Sequence, residues 1–131
     1  MKSKVLIIDD DSSVLDILNV WLSEEGFEVL GVTGTNDIIE LVNVVEPDVV
    51  LLDYLLQGYT GGDLCRQIKA CSKYRNLPVV IFSALNENTI TQEQLNCDAY
   101  IAKPFDLYQL TAQLNELISQ VTSGECADEW A

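Results

Sequence analysis

The sequence predicts an α/β fold in which a five-stranded parallel sheet is doubly wound in a three-layer αβα arrangement. Five short apolar runs alternate with longer segments whose apolar residues recur three and four positions apart. Such alternation is typical of βα units, which place parallel strands in one sheet and helices on both of its faces. The chain has 131 residues, of which 48% are hydrophobic, and this is enough for one compact domain with its own core.

The five predicted strands are short runs that are mostly apolar along their whole length. The first of them is a continuous apolar run, which is typical of a strand that is covered on both faces of the sheet. The predicted strands cover residues 4–8, 28–32, 49–52, 79–82 and 99–102.

Five helices are predicted in the segments that follow the strands. They cover residues 14–22, 38–45, 64–71, 86–95 and 107–121. Asp11, Ser12 or Ser13 can cap the first helix. Gly26 suits its end, and the second helix must stop before Pro47. The fourth segment is polar and weakly periodic, so we expect only a short helix there.

Composition and charge exclude several classes of protein. The net charge is −14 and the chain has no histidine. An acidic surface does not suit nucleic-acid backbones, which need Lys/Arg patches. Without histidine the chain has no Ser-His or Cys-His catalytic pair and no mixed zinc site. No apolar run approaches the ~20 residues of a membrane helix, and no signal peptide is evident, so we expect a cytoplasmic protein.

The chain is interpreted as one domain with a short tail. We place the domain at residues 1–121 and expect residues 122–131 to be a frayed tail or the start of a linker. Reduced thiols are expected for the cysteines, because no two of them are spaced as Cys-x-x-Cys. The four cysteines are Cys65, Cys71, Cys97 and Cys126.

Polar residues end four of the five predicted strands. Asp9 and Asp10 follow the first strand, Asp53 the third, Ser83 the fourth and Lys103 the fifth. The carboxyl ends of parallel strands meet at one edge of the sheet, where ligands bind in folds of this type. We therefore expect these side chains to converge in one cleft.

Three carboxylates in one cleft need a cationic partner. Two like charges about 4 Å apart repel by roughly 4 kcal/mol at an effective dielectric constant near 20. Lys103 supplies one positive charge, and Mg²⁺ is the cation that carboxylates, waters and a phosphate oxygen together bind. Asp53 could then attack phosphorus and form an aspartyl phosphate. The hydroxyl of Ser83 would donate to one phosphoryl oxygen.

Four stretches of the chain resemble the signatures of the response-regulator receiver domain. They are VLIIDDD (5–11), VVLLD (49–53), VIFSA (80–84) and AYIAKPF (99–105). Each is weak alone, but the four occur in order, and the resemblance extends over residues 4–121. It implies a flavodoxin-like fold with strand order 2-1-3-4-5. It also implies a Mg²⁺-dependent switch that receives a phosphoryl group from a sensor histidine kinase or a histidine phosphotransfer protein.

The resemblance assigns the acceptor and the metal ligands. Asp53 would be the phosphorylation site. Asp9, Asp10, Asp53 and the backbone carbonyl of Leu55 would hold Mg²⁺, with Asp10 bound directly and Asp9 partly through water.

The resemblance also assigns the switch. Ser83 would move toward the phosphoryl group, Tyr100 would turn inward on activation, and Lys103 would pair with phosphoryl oxygens ahead of a cis peptide at Pro104. A downstream protein would bind the face formed by the fourth helix, the fifth strand and the last helix. The protein would be a monomer or a phosphorylation-dependent dimer, either as a stand-alone regulator or as a receiver cut from a longer protein.

The chain departs from the family pattern after the acceptor. Gln57 stands where the family usually has proline, while the usual glycine is present as Gly61, so the loop over residues 53–61 is predicted to be less rigid. Leu55 and Leu85 are apolar at positions that often carry polar groups, which leaves the rate of dephosphorylation open.

Two other functions use some of the same residues. A haloacid-dehalogenase-like phosphatase or phosphotransferase would carry a second aspartate two residues after the nucleophile, where this chain has Leu55. An unphosphorylated scaffold would not need the intact acidic pair, Asp53 and Lys103. At single positions, Asp9 and Asp10 could merely cap a helix, and Tyr100 could be a tyrosine at the edge of the core.

Overall fold

The computed structural model describes residues 2–83, 97–102 and 106–130, with side chains described as far as residue 120. Its main sheet contains five parallel strands. They are β1 (Lys4–Ile8), β2 (Glu28–Val32), β3 (Val49–Asp53), β6 (Val79–Ser83) and β7 (Ala99–Ala102). Their spatial order is β2-β1-β3-β6-β7, which is the predicted order 2-1-3-4-5 when β6 and β7 are counted as the fourth and fifth strands. The predicted fold is confirmed.

Two further strands were not predicted. β4 (Leu55–Leu56) and β5 (Tyr59–Thr60) form a separate antiparallel hairpin directly after β3. The sequence predicted only a loop here, because a strand of two residues is too short to show a period.

The helices lie on both faces of the sheet. They are α1 (Ser12–Glu24), α2 (Ile38–Val45), α3 (Gly61–Ala70) and α4 (Leu107–Trp130), with a short 3₁₀ helix at Ser72–Tyr74. Asp11 caps α1 by accepting a hydrogen bond from the Ser13 N–H at 2.9 Å. Gly26 follows the helix with φ +96°, so both predicted end signals of α1 are confirmed.

The last helix is longer than predicted. The apolar stripe ends near Val121, and a frayed tail was expected beyond it, but α4 continues to Trp130. Residues 122–130 contain no proline, and the single Gly124 costs a helix only about 1 kcal/mol, so nothing in this stretch ends the helix. The domain boundary at residue 121 stays a prediction.

Two hydrophobic clusters hold the helices against the sheet. Leu64 and Ile68 of α3 and Val42 of α2 pack on one face of the sheet, while Leu18 of α1 and Leu114 of α4 pack on the other. Every residue of β3 and β6 is buried between the two clusters. The central strands are therefore fixed on both sides, and their carboxyl ends are held at defined positions. In the part of the chain that the structure describes, no helix has the length and apolarity needed to cross a membrane.

Candidate functional site

The strand register places three polar side chains at one edge of the sheet. β1 and β3 pair Ile8 with Leu52, so Asp9 and Asp53 are the next residues of the two strands. Asp53 in turn pairs with Phe82, and Ser83 follows it at the end of β6. Within the described residues these are the three buried polar or charged side chains, with exposures of 0% for Asp9, 7% for Asp53 and 0% for Ser83. The predicted convergence of Asp9, Asp53 and Ser83 on this edge is therefore observed.

The carboxylates of Asp9, Asp10 and Asp53 form a compact acidic cluster. Each offers an oxygen that lies within 4.8 Å of the other two, and Asp10 is exposed while its two neighbours are buried. Opposite ligands of an octahedral Mg²⁺ lie about 4.2 Å apart, since each Mg–O distance is about 2.1 Å. A carboxylate slightly beyond that reach binds through a water molecule. The carboxylate oxygens are thus close enough to share one ion, and as hard ligands they fit Mg²⁺ better than a softer metal.

Asp9 and Asp11 have different roles at the start of α1. One carboxylate oxygen of Asp9 accepts a hydrogen bond from the Asp11 N–H at 2.9 Å, and the Asp9 N–H donates to the Val32 carbonyl at 3.2 Å. The capping position itself belongs to Asp11. A carboxylate can accept several hydrogen bonds, so Asp9 is held by the turn and still offers an oxygen to the cluster. Capping alone therefore does not explain Asp9 or Asp10.

The backbone after Asp53 is closed by two hydrogen bonds. The Tyr54 N–H donates to the Phe82 carbonyl at 2.9 Å, and the Gly61 N–H donates to the Tyr54 carbonyl at 2.7 Å. Gly61 approaches so closely that a Cβ added to it would lie 2.4 Å from the Asp53 carbonyl oxygen. The glycine that the sequence singled out is thus required by the close approach of two backbone segments.

The hairpin between these two points carries Leu55. It pairs Leu55 with Thr60 and Leu56 with Tyr59, and Gly58 takes a positive φ of 86° in the two-residue turn. The available sequence signal for this hairpin was Gly58 in a two-residue turn between Leu55-Leu56 and the β-favouring pair Tyr59-Thr60. The lower rigidity expected from the missing proline at Gln57 stays a prediction.

Tyr100 lies in the edge strand β7, which β6 separates from β3. It pairs with Ile81 in the sheet and is half-buried at the margin of the core on the α2 and α3 side. It also lines a cavity of about 550 Å³ between β7 and α4, together with Ala102, Asp106 and Gln109. The tyrosine therefore belongs both to the margin of the core and to an open surface, so its position is compatible with either of the two expected roles.

Several predicted residues lie outside the described part of the chain. They are Leu85, Lys103, Pro104 and the fourth predicted helix at residues 86–95. Lys103 follows Ala102 directly, and Ala102 is the register partner of Ser83 at the end of β7. The three cysteines that the structure describes, Cys65, Cys71 and Cys97, are free thiols.

Comparison with known proteins gives a consistent family. The model of the response regulator receiver domain matches residues 5–115. A two-component response regulator from Clostridium difficile is 26% identical, covering 90% of this chain and 97% of that one, with a TM-score of 0.79. The signal receiver domain of a signal transduction histidine kinase from Syntrophus aciditrophicus is 24% identical, covering 91% and 92%, with a TM-score of 0.83. A CheY-like receiver domain protein from Methanospirillum hungatei JF-1 is 21% identical, covering 95% and 99%, with a TM-score of 0.84.

Proposed function

The chain belongs to the family of response regulator receiver domains, and from this membership we propose that Asp53 is its phosphorylation site. The family accepts phosphoryl groups and signals in two-component systems. One observation carries the assignment to Asp53: its carboxylate is nearly buried, ends the central strand, and lies within 4.8 Å of the carboxylate oxygens of Asp9 and Asp10.

The proposed reaction is a transfer from phosphohistidine to the carboxylate of Asp53. A carboxylate oxygen attacks the phosphorus atom, and the bond from phosphorus to the imidazole nitrogen breaks. The electron pair of that bond stays on the imidazole, which takes up a proton. The product is an acyl phosphate on Asp53. Because every residue of β3 is buried between the two clusters, the attacking oxygen starts from a fixed position.

Mg²⁺ is the cofactor we propose, and when bound it would neutralise charge on the phosphoryl oxygens. Asp9, Asp10, Asp53 and the backbone carbonyl of Leu55 would hold it. The buried Asp9 is oriented by the Asp11 N–H, whereas the exposed Asp10 can change its ligands without cost to the core. Ser83 is fully buried at the end of β6, from where its hydroxyl would donate to the phosphoryl group. Lys103 would neutralise a further oxygen.

The partners we propose follow from the same chemistry. A sensor histidine kinase or a histidine phosphotransfer protein would supply the phosphoryl group. A downstream protein would bind the surface that includes Tyr100 and the adjoining cavity between β7 and α4. The two expected roles of Tyr100, switch or core margin, differ in whether its exposure changes on phosphorylation. Fluorine NMR of fluorotyrosine at this position, with and without phosphodonor, distinguishes them.

The enzyme alternative has less support. A phosphatase that uses an aspartyl phosphate would need an acid or base two residues after Asp53, and that residue is Leu55, with 51% exposure. An alkyl side chain neither donates nor accepts a proton. Leu55 therefore cannot supply the acid or base that such a phosphatase needs.

Intact-mass spectrometry tests the proposal. The protein is incubated with acetyl phosphate and Mg²⁺, and we expect one phosphoryl adduct that requires Mg²⁺. Asp53→Asn should form none, while Asp16→Asn, which removes an exposed aspartate of α1 outside the cluster, should form the adduct like the wild type. Wild-type protein without an adduct, or an adduct that survives in Asp53→Asn, would refute the assignment. Steady hydrolysis of acetyl phosphate at many turnovers per second would instead favour the enzyme.

A further inference from the structure

A tyrosine in the hairpin after Asp53 is hydrogen-bonded to a distant loop. The backbone N–H of Thr35, in the loop between β2 and α2, donates to the hydroxyl oxygen of Tyr59 at 2.8 Å. The ring of Tyr59 is half-buried against the core on the α2 and α3 side of the sheet. The tip of the hairpin is thereby attached to a second loop at the same edge of the sheet as the acidic cluster.

The loop that receives Tyr59 is itself anchored. The Thr35 hydroxyl accepts a hydrogen bond from the Asp37 N–H at 3.1 Å, and the Asp37 carboxylate caps α2 by accepting from the Glu40 N–H at 3.1 Å. This series of contacts connects the Tyr59 hydroxyl to the first turn of a packed helix. The hydroxyl is therefore bonded to a loop that is itself hydrogen-bonded to the start of α2.

Gly34 leaves the space that the hydroxyl occupies. A Cβ added to Gly34 would lie 2.9 Å from the Tyr59 hydroxyl oxygen, which is closer than real Cβ atoms approach. The backbone of Gly34 is outside the positive-φ region that favours glycine. Gly34 therefore provides room for the Tyr59 hydroxyl. The small residue at position 34 and the hydroxyl at position 59 both contribute to the same contact.

The hairpin needs such an attachment. Its strands have two residues each, and an isolated two-stranded hairpin is marginal in water even when it is longer. Tyr59 pairs with Leu56, the neighbour of Leu55. A bond at Tyr59 therefore limits the positions that the Leu55 carbonyl can take.

We infer that Tyr59 is a positioning residue, whose hydroxyl holds the hairpin so that the Leu55 carbonyl faces the acidic cluster in the orientation that binds Mg²⁺. This inference rests on the proposed function, because it takes the Leu55 carbonyl as a ligand. Loss of the hydroxyl lowers the fraction of hairpins in the competent position, and the Mg²⁺ dissociation constant rises in inverse proportion to that fraction. A typical hydrogen bond corresponds to an increase of up to about fivefold.

The test uses two variants that remove the contact in different ways. Tyr59→Phe removes the hydroxyl and keeps the ring, and Gly34→Ala displaces the hydroxyl. Tyr74→Phe is the matched control, since Tyr74 is also half-buried against the same core but its hydroxyl donates to Asn43 instead. Calorimetric titration with MgCl₂ gives the dissociation constants, and amide hydrogen exchange at Thr35 reports the contact itself.

We expect Tyr59→Phe and Gly34→Ala to bind Mg²⁺ up to about fivefold more weakly and to exchange the Thr35 amide faster. In both variants the rate of phosphorylation by acetyl phosphate at saturating Mg²⁺ should stay within about twofold of wild type, since a positioning defect is overcome by excess ligand. Tyr74→Phe should match wild type in all three measurements.

Unchanged Mg²⁺ affinity in both variants, with faster exchange at Thr35, would overturn the inference and leave the proposed function intact. An equal loss of affinity in Tyr74→Phe would also overturn it, because the effect would then belong to the core. If the wild type itself neither binds Mg²⁺ nor forms an adduct, the proposed function fails instead.

Discussion

Three consecutive aspartates after β1 have three different environments. Asp9 is buried, Asp10 is exposed, and Asp11 occupies the capping position of α1. A buried carboxylate is costly unless it is hydrogen-bonded or paired with a cation. The Asp11 N–H offsets part of that cost for Asp9. Side-chain chemistry is the same at all three positions, so their different roles arise from where the strand ends and the helix begins.

Gly61→Ala should destabilise the fold and disturb the phosphorylation site together. The added Cβ would meet the Asp53 carbonyl oxygen at 2.4 Å, so the backbone of one segment has to shift. Forcing an extra methyl into a packed site costs about 1–3 kcal/mol. Urea unfolding measures this cost, and intact-mass analysis with acetyl phosphate measures the adduct. Gly58→Ala is the contrasting change, because there a Cβ would have no atom within 4 Å and only the positive φ is unfavourable. Equal stability of Gly61→Ala and wild type would contradict the close approach.

Stability should fall at alkaline pH because of Cys65. Burial raises the pKa of the Cys65 thiol to about 12, from an ordinary value of 9.0. The native state therefore keeps the proton over a pH range in which the unfolded chain loses it. The contribution of this thiol to stability is complete below pH 9 and is lost as pH rises toward 12, by at most about 1.4 kcal/mol per pH unit.

Urea unfolding between pH 7 and 10.5 under reducing conditions checks this slope. The free energy of unfolding of wild type should decline more steeply above pH 9 than that of Cys65→Ala, which has no thiol to titrate there. Burial also raises the pKa of Cys97, but Cys97 is present in both proteins. Cys71→Ala retains Cys65 and should keep the wild-type slope. Parallel curves for wild type and Cys65→Ala would refute the prediction.

The elements differ in how fully their sequences specify them. Residues 5–8 and 49–52 are continuous apolar runs that each directly precede an aspartate, and this pattern is typical of a strand that is buried on both faces. The hairpin over residues 55–60 was not predicted, because strands of two residues show no period and because the contact that attaches the hairpin, from Tyr59 to Thr35, spans 24 positions. Such a contact exists only after β2 and β3 have been placed in the same sheet.

In the candidate site, too, some features could be predicted from the local sequence and others could not. The location of Asp9, Asp53 and Ser83 at one edge of the sheet could be predicted from the sequence, because each of them lies at the carboxyl end of a predicted parallel strand. The start of α3 could not, since Gly61 and Gly62 are poor helix formers and precede the helix that is predicted over residues 64–71. Their helical conformation depends on the capping box that precedes them, in which Thr60 and Asp63 exchange hydrogen bonds.

Thr60→Val tests how much that capping box contributes. The Thr60 hydroxyl accepts from the Asp63 N–H at 3.1 Å, and the Asp63 carboxylate accepts from the Thr60 N–H at 3.0 Å. This backbone hydrogen bond lowers the pKa of Asp63. Valine keeps the shape of threonine and removes the hydroxyl, so we expect a loss of about 1 kcal/mol. Thr33→Val, at an exposed threonine of the loop after β2, should cost much less.

The decline of the free energy of unfolding at acidic pH provides a second test of the Thr60–Asp63 capping box. A carboxyl whose pKa is lowered in the native state stabilises the fold above its ordinary pKa of 3.8. That contribution disappears as pH falls through the native value. Asp63→Asn should therefore lose stability near neutral pH and approach wild type in strong acid. A difference that is independent of pH would contradict the lowered pKa of Asp63, to which the ion pair with Arg66 also contributes.

Charge is unevenly balanced across the protein. Lys and Arg number 7 against 21 Asp and Glu, so the folded chain concentrates negative charge that the unfolded chain disperses. Folding also brings the carboxylate of Asp53 to Asp9 and Asp10, from 43 or more positions away in sequence. Monovalent salt screens the repulsion across the whole negatively charged surface. A divalent cation bound in the cluster instead neutralises the repulsion among Asp9, Asp10 and Asp53. Stability should therefore respond to Mg²⁺ by more than its ionic strength explains.

Thermal and urea unfolding in MgCl₂ and in NaCl of equal ionic strength separate the two effects. At a Mg²⁺ concentration about 100 times the dissociation constant, binding to the native state adds about 2.7 kcal/mol to the free energy of unfolding. Asp10→Asn should be at least as stable as wild type in NaCl, because it removes one charge from the cluster and Asp10 is exposed. In MgCl₂ the order should reverse, because the variant loses a ligand. Asp16→Asn should gain as much from Mg²⁺ as wild type. If wild type and Asp10→Asn gained equally from Mg²⁺, the cation would be acting on the general charge of the surface, and the acidic cluster would not be its binding site.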